Sequence, residues 1–171
     1  MPSPRPLKVS VLVPALNEEA NVERAYAAIV SVFRDLPEYD YEIVFTDNHS
    51  TDRTFEILKG IAQEDRRVRV LRFSRNIGYQ RSLLAAYKAA SGHCSIQIDC
   101  DLQDPPHHIP EMLALWREGN QVVYGVRRSL SDGMVTAARS RLDMWLTAII
   151  KPQRNTMQHR YYNLLIGRHY S

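Results

Sequence analysis

The chain has 171 residues, of which 44% are hydrophobic and 24% are charged, a composition typical of one soluble globular domain with a substantial core. Its formal net charge of +3 is too small to indicate a nucleic-acid partner. No segment reaches the roughly 20 apolar residues of a transmembrane helix, and the first residues lack the apolar run of a signal peptide, so we expect a cytoplasmic protein.

Short β-branched segments alternate with amphipathic segments along the chain. The segments predicted as strands are 8–15, 41–47, 67–73, 94–99 and 121–126. The segments predicted as helices are 18–36, 52–65, 78–91 and 106–119. This alternation predicts a Rossmann-like α/β fold, in which a mostly parallel sheet carries helices on both faces. Ligands of such sheets bind beyond the carboxyl ends of the strands, so the strand-to-helix junctions are the expected binding site.

The second junction is polar from its first residue. Asp47 ends the second predicted strand, where a carboxylate can accept hydrogen bonds from a ribose or from the edge of a base. Ser50, Thr51 and Asp52 follow, and because these residue types cap helices, capping explains part of this junction. The chain contains neither a GxGxxG nor a GxxxxGK[ST] motif, which weakens the prediction of an NAD or ATP site.

Carboxylates are concentrated behind the fourth predicted strand. Asp99, Asp101 and Gln103 are two residues apart, and in an extended segment such residues point to one side. Neighbouring carboxylates repel each other unless a cation lies between them, and oxygen ligands of this kind suit Mg²⁺ or Mn²⁺. A solvated acidic turn is the alternative, but the position at the end of a strand favours a metal site.

Five motifs together carry a family resemblance. In chain order they are VSVLVPALNEE, IVFTDNHSTDRT, LRFSRNIGYQRS, IQIDCDLQDPP and VVYGVRRS. They resemble the nucleotide-sugar domain of glycosyltransferase family 2, of the type-A fold. More narrowly they resemble the polyprenyl-phosphate glycosyltransferases, such as dolichol-phosphate mannose synthase and the bacterial enzymes that glucosylate undecaprenyl phosphate. The resemblance implies a nucleotide-sugar-binding domain over residues 1–130 and, because it fades near residue 140, a divergent or truncated acceptor-side segment over 131–171.

The resemblance implies roles for several junction residues. The motif after the first strand holds the nucleoside, Asp47 reads the base or the ribose, and the RNxG element lies near the nucleotide. The donor-binding residues that it implies are Pro14, Leu16, Asn17, Glu18, Asp47, Asn76, Gly78 and Asp99. The metal ligands that it implies are Asp99, Asp101 and Gln103, which hold Mg²⁺ or Mn²⁺ on the donor diphosphate. Asn48 departs from the family, which usually has a second aspartate there.

The resemblance implies a phosphate acceptor, which determines whether the transfer needs a catalytic base. A phosphate monoester is already largely deprotonated at pH 7, so it needs no catalytic base, but it needs cations to hold it. The resemblance places acceptor-phosphate contacts at Arg127 and Arg128, and Arg139 is a further candidate. Arg127 and Asp101 are therefore the catalytic candidates. A solvated basic turn is the alternative for these arginines.

The predicted function is metal-dependent, inverting transfer of a hexose from a nucleotide sugar of the UDP-glucose or GDP-mannose type to a polyprenyl phosphate at the membrane. The first alternative is a catalytically impaired nucleotide-sugar-binding fragment that acts through a partner chain. A sugar-phosphate nucleotidyltransferase is a weaker alternative, since its glycine-rich first loop is missing. A homo-oligomer or a partner membrane protein is compatible with these predictions.

Residues 134–151 have the pattern of a basic amphipathic helix. Met134, Leu142 and Trp145 fall on its apolar side, while Arg139 lies among its polar residues. Such a stripe usually faces a protein core, which is the interpretation we favour. The alternative is a helix that lies in the bilayer interface and attaches the protein peripherally to the inner face of the cell membrane.

Overall fold

The structure, a computed structural model, describes residues 6–103, 105–123 and 149–150. Its elements in chain order are β1 (Leu7–Ala15), α1 (Val22–Arg34), β2 (Tyr39–Asp47), α2 (Thr54–Glu64), β3 (Val68–Arg72), α3 (Tyr79–Ala89), β4 (Cys94–Gln97), α4 (Ile109–Arg117), β5 (Val122–Val123) and β6 (Ile149–Ile150). A 3₁₀ turn, Pro106–His108, precedes α4. Each of the four helices lies within a segment that the apolar periodicity predicts as helical.

The strands form one sheet with the order β3-β2-β1-β4-β6-β5. β1 pairs in parallel with both β2 and β4, and β2 pairs in parallel with β3. β6 lies antiparallel between β4 and β5. The predicted Rossmann-like, mostly parallel sheet is therefore confirmed, with an antiparallel edge that the strand–helix alternation does not predict.

Strand β6 corrects the carboxyl end of the helix predicted over 134–151. Ile150 lies opposite Ser95 of β4, and Ile149 lies opposite Val123 of β5. β-branched residues such as isoleucine fit a pleated strand, and the pairing covers an edge of β4 that would otherwise expose unpaired backbone groups. Residues 134–148 and 151 of that predicted helix lie outside the described residues.

Helices cover both faces of the sheet. Val9, Val11 and Val13 of β1 pack in one cluster with buried residues of α1, α2 and α4, whereas Leu12 and Val44 pack with α3 on the other face. This division follows from the alternation of side chains along a strand. Because both faces are covered, the central strands are nearly continuous apolar runs and do not alternate with polar residues.

A buried charge lies on the α3 face near the amino ends of the strands. Glu42 is 3% exposed and accepts hydrogen bonds from the Ser10 hydroxyl (2.6 Å) and from the N–H and hydroxyl of Ser91 (2.6 and 2.9 Å), with Lys8 Nζ 3.3 Å away. Burial alone raises the pKa of Glu42, but these bonds and the charge of Lys8 outweigh it and hold the pKa at about 2. The cluster ties together β1, β2 and the link between α3 and β4.

Candidate functional site

A cavity of about 360 Å³ lies at the carboxyl ends of β1, β2 and β4. The residues that line it are Pro14, Ala15, Leu16, Glu18, Asn48, Asn76, Gly78, Tyr79, Asp99, Cys100 and Asp101. Four strand-to-helix junctions therefore meet in one pocket, as the position at the carboxyl ends of parallel strands predicts. Of the predicted donor and metal residues in the described part of the chain, three do not line the cavity: Asn17, Asp47 and Gln103.

Asn17 fixes the first loop and does not itself line the cavity. Its backbone is left-handed (φ 57°), a conformation that asparagine tolerates better than most residues. Its N–H donates to the Ser50 hydroxyl (2.9 Å) and its side-chain oxygen accepts from the N–H of Thr51 (2.9 Å). The N–H of Glu18 likewise donates to Oγ1 of Thr54 (2.7 Å). Ser50 and Thr51 therefore hold the first loop and do not cap α2, which begins at Thr54.

Asp47 is fully buried beside the pocket. One carboxylate oxygen accepts a hydrogen bond from the N–H of Ser50 (3.0 Å), and the other lies 3.2 Å from Nε of Arg72 without hydrogen-bond geometry. The guanidinium of Arg72 also stacks over the ring of Phe55, 4.1 Å from its centroid. In this structure Asp47 thus holds the second junction and Arg72 together, and its contact with a base or ribose remains a prediction.

Asn48 couples the second junction to the third through two side-chain amides. Its Oδ1 accepts from the N–H of Ile77 (2.9 Å), and its Nδ2 donates to Oδ1 of Asn76 (2.9 Å), which also accepts from the N–H of Gly78 (2.9 Å). Because backbone N–H groups can only donate, they fix which end of each amide is the oxygen. Gly78 has φ 84°, a conformation that favours glycine, so this turn is set by the backbone as well.

The acidic segment behind β4 is a turn, so the extended geometry predicted for it is wrong. β4 ends at Gln97, Leu102 has φ 58°, and its N–H donates to the carbonyl oxygen of Asp99 (3.3 Å). As a result Asp99 and Asp101 line the pocket, whereas the exposed Gln103 donates its backbone N–H to Oδ1 of Asp101 (3.0 Å). The turn therefore brings together two of the three predicted metal ligands.

The donor set of the pocket fits a hard divalent cation. Glu18, Asp99 and Asp101 carry carboxylates, and none of the lining residues is basic. Burial raises the pKa of the Cys100 thiol to about 12, so the thiol is protonated in the metal-free pocket. Within the described part of the chain, no group of three or more His, Cys, Asp or Glu side chains is arranged as a metal cage. One or two carboxylates completed by ligand phosphates form the kind of site that Mg²⁺ uses.

Tyr79 is a pocket residue that the sequence patterns do not single out. Its hydroxyl lies 2.8 Å from Oδ1 of Asp99 and accepts a hydrogen bond from Nε2 of Gln97 (2.6 Å). Burial and the neighbouring Asp99 carboxylate raise the pKa of Tyr79 well above its ordinary value, so the hydroxyl keeps its proton. The available signal is its place directly after Gly78 in the SRNIGYQ segment, where α3 begins.

The predicted acceptor residues Arg127, Arg128 and Arg139 lie outside the described residues. Among the helices that the structure describes, none combines the length and the apolarity that a membrane crossing requires.

Comparisons with known proteins agree on a family. The sequence profile described as Glycosyl transferase family 2 matches residues 10–169. An uncharacterized glycosyltransferase of Bacillus subtilis, YkcC, is 41% identical over 72% of this chain and 38% of its own length. The bactoprenol glucosyl transferase of Shigella phage SfV is 39% identical over 74% of this chain and 41% of its own length. The matched part of the chain thus spans about two fifths of these relatives.

Solved structures agree on the fold. A mannosyltransferase of Pyrobaculum calidifontis, PcManGT, in complex with GDP-Man and Mn²⁺, superposes with a TM-score of 0.60 at 24% identity, over 74% of this chain and 37% of its own. TarS of S. aureus in complex with UDP-GlcNAc gives a TM-score of 0.56 at 23% identity, over 85% of this chain and 45% of its own. Since the profile match extends over most of its length, the chain belongs to glycosyltransferase family 2.

Proposed function

We propose that residues 1–130 of this chain form the donor-binding domain of a glycosyltransferase that moves a hexose from a nucleotide sugar to a polyprenyl phosphate, with inversion at the anomeric carbon. The observation that carries the proposal is the pocket at the carboxyl ends of the strands, where Asp99 and Asp101 line a cavity of about 360 Å³. The class of acceptor is taken from the 39% identical bactoprenol glucosyl transferase.

The carboxylates of the pocket support a dependence on Mg²⁺ or Mn²⁺. Asp99 and Asp101 would hold the cation, because both line the cavity and carboxylate oxygens are its preferred protein ligands. When bound, it would neutralise the donor diphosphate and so ease the departure of the nucleoside diphosphate. Without a cation, a diphosphate would meet only negative and neutral side chains among the lining residues. The complex of PcManGT with GDP-Man and Mn²⁺ supports the dependence on a divalent cation.

The remaining lining residues would hold the nucleoside and the sugar. Leu16 and Tyr79 are 40% and 50% exposed and offer apolar surface beside the polar pocket. Asn76 and Gly78 lie in a turn fixed by the amide of Asn48, which presents backbone close to the ligand. Glu18, held by the bond from its N–H to Thr54, supplies a carboxylate for a ribose hydroxyl.

The acceptor would attack without a protein base. A phosphate oxygen forms the new bond to the anomeric carbon while the bond from that carbon to the leaving diphosphate breaks on the opposite side, which inverts the configuration. The attacking oxygen carries no proton that must be removed at pH 7. We assign the task of holding the acceptor phosphate to Arg127, with Arg128 and Arg139 as further contacts.

Donor binding is tested by calorimetric titration of the chain with UDP-glucose and with GDP-mannose, each with and without Mn²⁺. We expect one of the two donors to bind, and to bind at least about tenfold more weakly in EDTA because the diphosphate is then uncompensated. Adding undecaprenyl phosphate should then yield a glycolipid. Binding without transfer would favour the donor-binding fragment, and binding of neither donor would overturn the proposal.

Replacement of a single pocket carboxylate tests the metal assignment. Asp101→Asn removes one negative ligand but preserves the shape of the side chain, so we expect the affinity for Mn²⁺ with the donor to fall at least about tenfold while the unfolding temperature stays unchanged. Asp35→Asn, at an exposed aspartate after α1, is the control. If the Asp101 variant binds the donor in Mn²⁺ as tightly as the parent, Asp101 is not a ligand.

A further inference from the structure

The hydroxyl of Tyr79 lies between two side chains, one at the end of β4 and one in the turn that follows it. Nε2 of Gln97, in β4, donates to it at 2.6 Å, and Oδ1 of Asp99 lies 2.8 Å away. A tyrosine hydroxyl has one hydrogen to donate. Since its oxygen already accepts from Gln97, that hydrogen is donated to Asp99. Gln97 therefore donates to Tyr79, and Tyr79 donates to Asp99.

The reversed orientation of the Gln97 amide is unfavourable. It would place Oε1 against the tyrosine oxygen and draw the hydroxyl hydrogen away from Asp99. An oxygen of an ionised carboxylate would then lie 2.8 Å from the tyrosine oxygen with no hydrogen between them. In the favoured orientation Oε1 of Gln97 is buried and has no hydrogen-bond partner among the residues that the structure describes. An unpaired buried oxygen costs free energy, which the short bond from Nε2 to the Tyr79 hydroxyl offsets.

We propose that Tyr79 is a positioning residue that holds one oxygen of Asp99 and leaves the other oxygen to the cation of the donor site. The proposal rests on the proposed function, in which Asp99 and Asp101 hold Mg²⁺ or Mn²⁺. Asp99 lies in the turn beyond the end of β4, whereas Gln97 is 6% exposed and paired with Leu12 of β1. Through the hydroxyl of Tyr79, the carboxylate of Asp99 in the turn is therefore held by Gln97, a residue of the sheet.

The test compares Mn²⁺ binding by the full chain and by Tyr79→Phe, with free Mn²⁺ measured by electron paramagnetic resonance in the presence of UDP or GDP, whichever the parent binds. The variant keeps the ring against the pocket and removes only the hydroxyl. We expect the affinity for Mn²⁺ to fall about tenfold, the lower end of the range for groups that orient metal ligands. The affinity for the nucleotide in EDTA should not change.

The control is Tyr26→Phe, which removes another tyrosine hydroxyl bonded to an aspartate, Asp65 at 3.0 Å, away from the pocket. Gln97→Leu supplies a second variant. Because both residues act on Asp99 through one chain of bonds, the double variant should bind Mn²⁺ no more weakly than Tyr79→Phe alone.

Three outcomes would count against the positioning role of Tyr79. Unchanged Mn²⁺ affinity in Tyr79→Phe, when Asp101→Asn lowers it, would overturn the positioning role and leave the proposed function standing. A loss of nucleotide affinity in EDTA equal to the loss in Mn²⁺ would also overturn it, because the hydroxyl would then contact the nucleotide. If the parent itself binds no Mn²⁺ with either nucleotide, both the inference and the metal-dependent function fail.

Discussion

Asn48 replaces an aspartate that the family resemblance predicts, and its contacts explain why an amide suits this chain. It accepts from the N–H of Ile77 and donates to Oδ1 of Asn76. An aspartate could make the first bond but would set its second oxygen against that of Asn76. Asn76 could relieve the contact only by turning its amide, which would remove the acceptor from the N–H of Gly78.

Asn48→Asp should therefore lower both stability and nucleotide affinity. We expect the free energy of unfolding to fall by about 1–3 kcal/mol, the cost of a broken buried hydrogen bond, because Asn48 is 5% exposed. Urea denaturation and calorimetric titration with UDP and GDP measure the two effects. The matched control is Asn120→Asp, at an exposed asparagine whose amide donates to the carbonyl of Leu115 (2.8 Å). Equal losses in the two variants would mean that the bond to Asn76 has no special importance.

Residues differ in how far the sequence predicts their roles. Asp99 and Asp101 follow an apolar strand, so pattern and position suffice to place them in the pocket. Tyr79 has no such signal, because a tyrosine at the start of a helix is ordinary and its role depends on Asp99 reaching it in space. A place at a strand end predicts a ligand contact for Asp47, and the family motif predicts one for Asn17, but in this structure both side chains hold loops.

Strands β1 and β2 illustrate what is predictable at the level of elements. Their apolar runs are long and buried on both faces, so periodicity alone locates them within two residues. β4 is shorter than predicted, because the chain turns after Ile98 donates its N–H to Leu12. That turn depends on a left-handed Leu102, a conformation that no residue preference predicts for leucine.

The Glu42 cluster makes the sheet sensitive to acid. Its pKa of about 2 in the folded chain, against 4.5 for an ordinary glutamate, means that the ionised cluster stabilises the fold above pH 4.5 and that this stability is lost as the pH falls toward 2. We expect Glu42→Gln to lower the free energy of unfolding at pH 7 by about 3 kcal/mol and to remove the part of the pH dependence that Glu42 contributes in that window. Urea denaturation of both proteins between pH 7 and pH 3 measures this.

The control for this prediction is Glu38→Gln, at an exposed glutamate just before β2, which should change the stability at pH 7 little. If the unfolding curves of parent and Glu42→Gln stay equally far apart at pH 7 and pH 3, the ionised form of Glu42 is not what stabilises the cluster.

At the scale of the whole molecule, the proposed lipid acceptor requires contact with a membrane. Residues 134–148 keep the pattern of a basic amphipathic helix in sequence, although they lie outside the described residues. If they attach the chain to anionic bilayers, it should sediment with liposomes that contain anionic lipid, and less so in high salt, which screens part of the attraction. No sedimentation at low salt, or equal sedimentation with neutral lipid, would favour the core interpretation.

Paired substitutions locate this contact. Replacing Arg139 and Arg141 by serine should reduce sedimentation with anionic liposomes, by an amount corresponding to about 1 kcal/mol for each charge lost near the surface. Replacing Arg34 and Arg117, which are exposed at the ends of α1 and α4, removes the same charge elsewhere and serves as the control. Equal reduction by both pairs would indicate attraction by net charge and no specific membrane-binding segment.

The place of β6 between β4 and β5 fixes an order of assembly. Each parallel strand is joined to the next by a single crossover helix, and β6, which pairs with both β4 and β5, follows all of the other described strands in the chain. Because the chain is synthesised from its amino end, the parallel strands can pair before β6 exists. While the protein is being synthesised, the edge of β4 therefore stays open until residue 150 has left the ribosome, and an open edge is a site where chains aggregate.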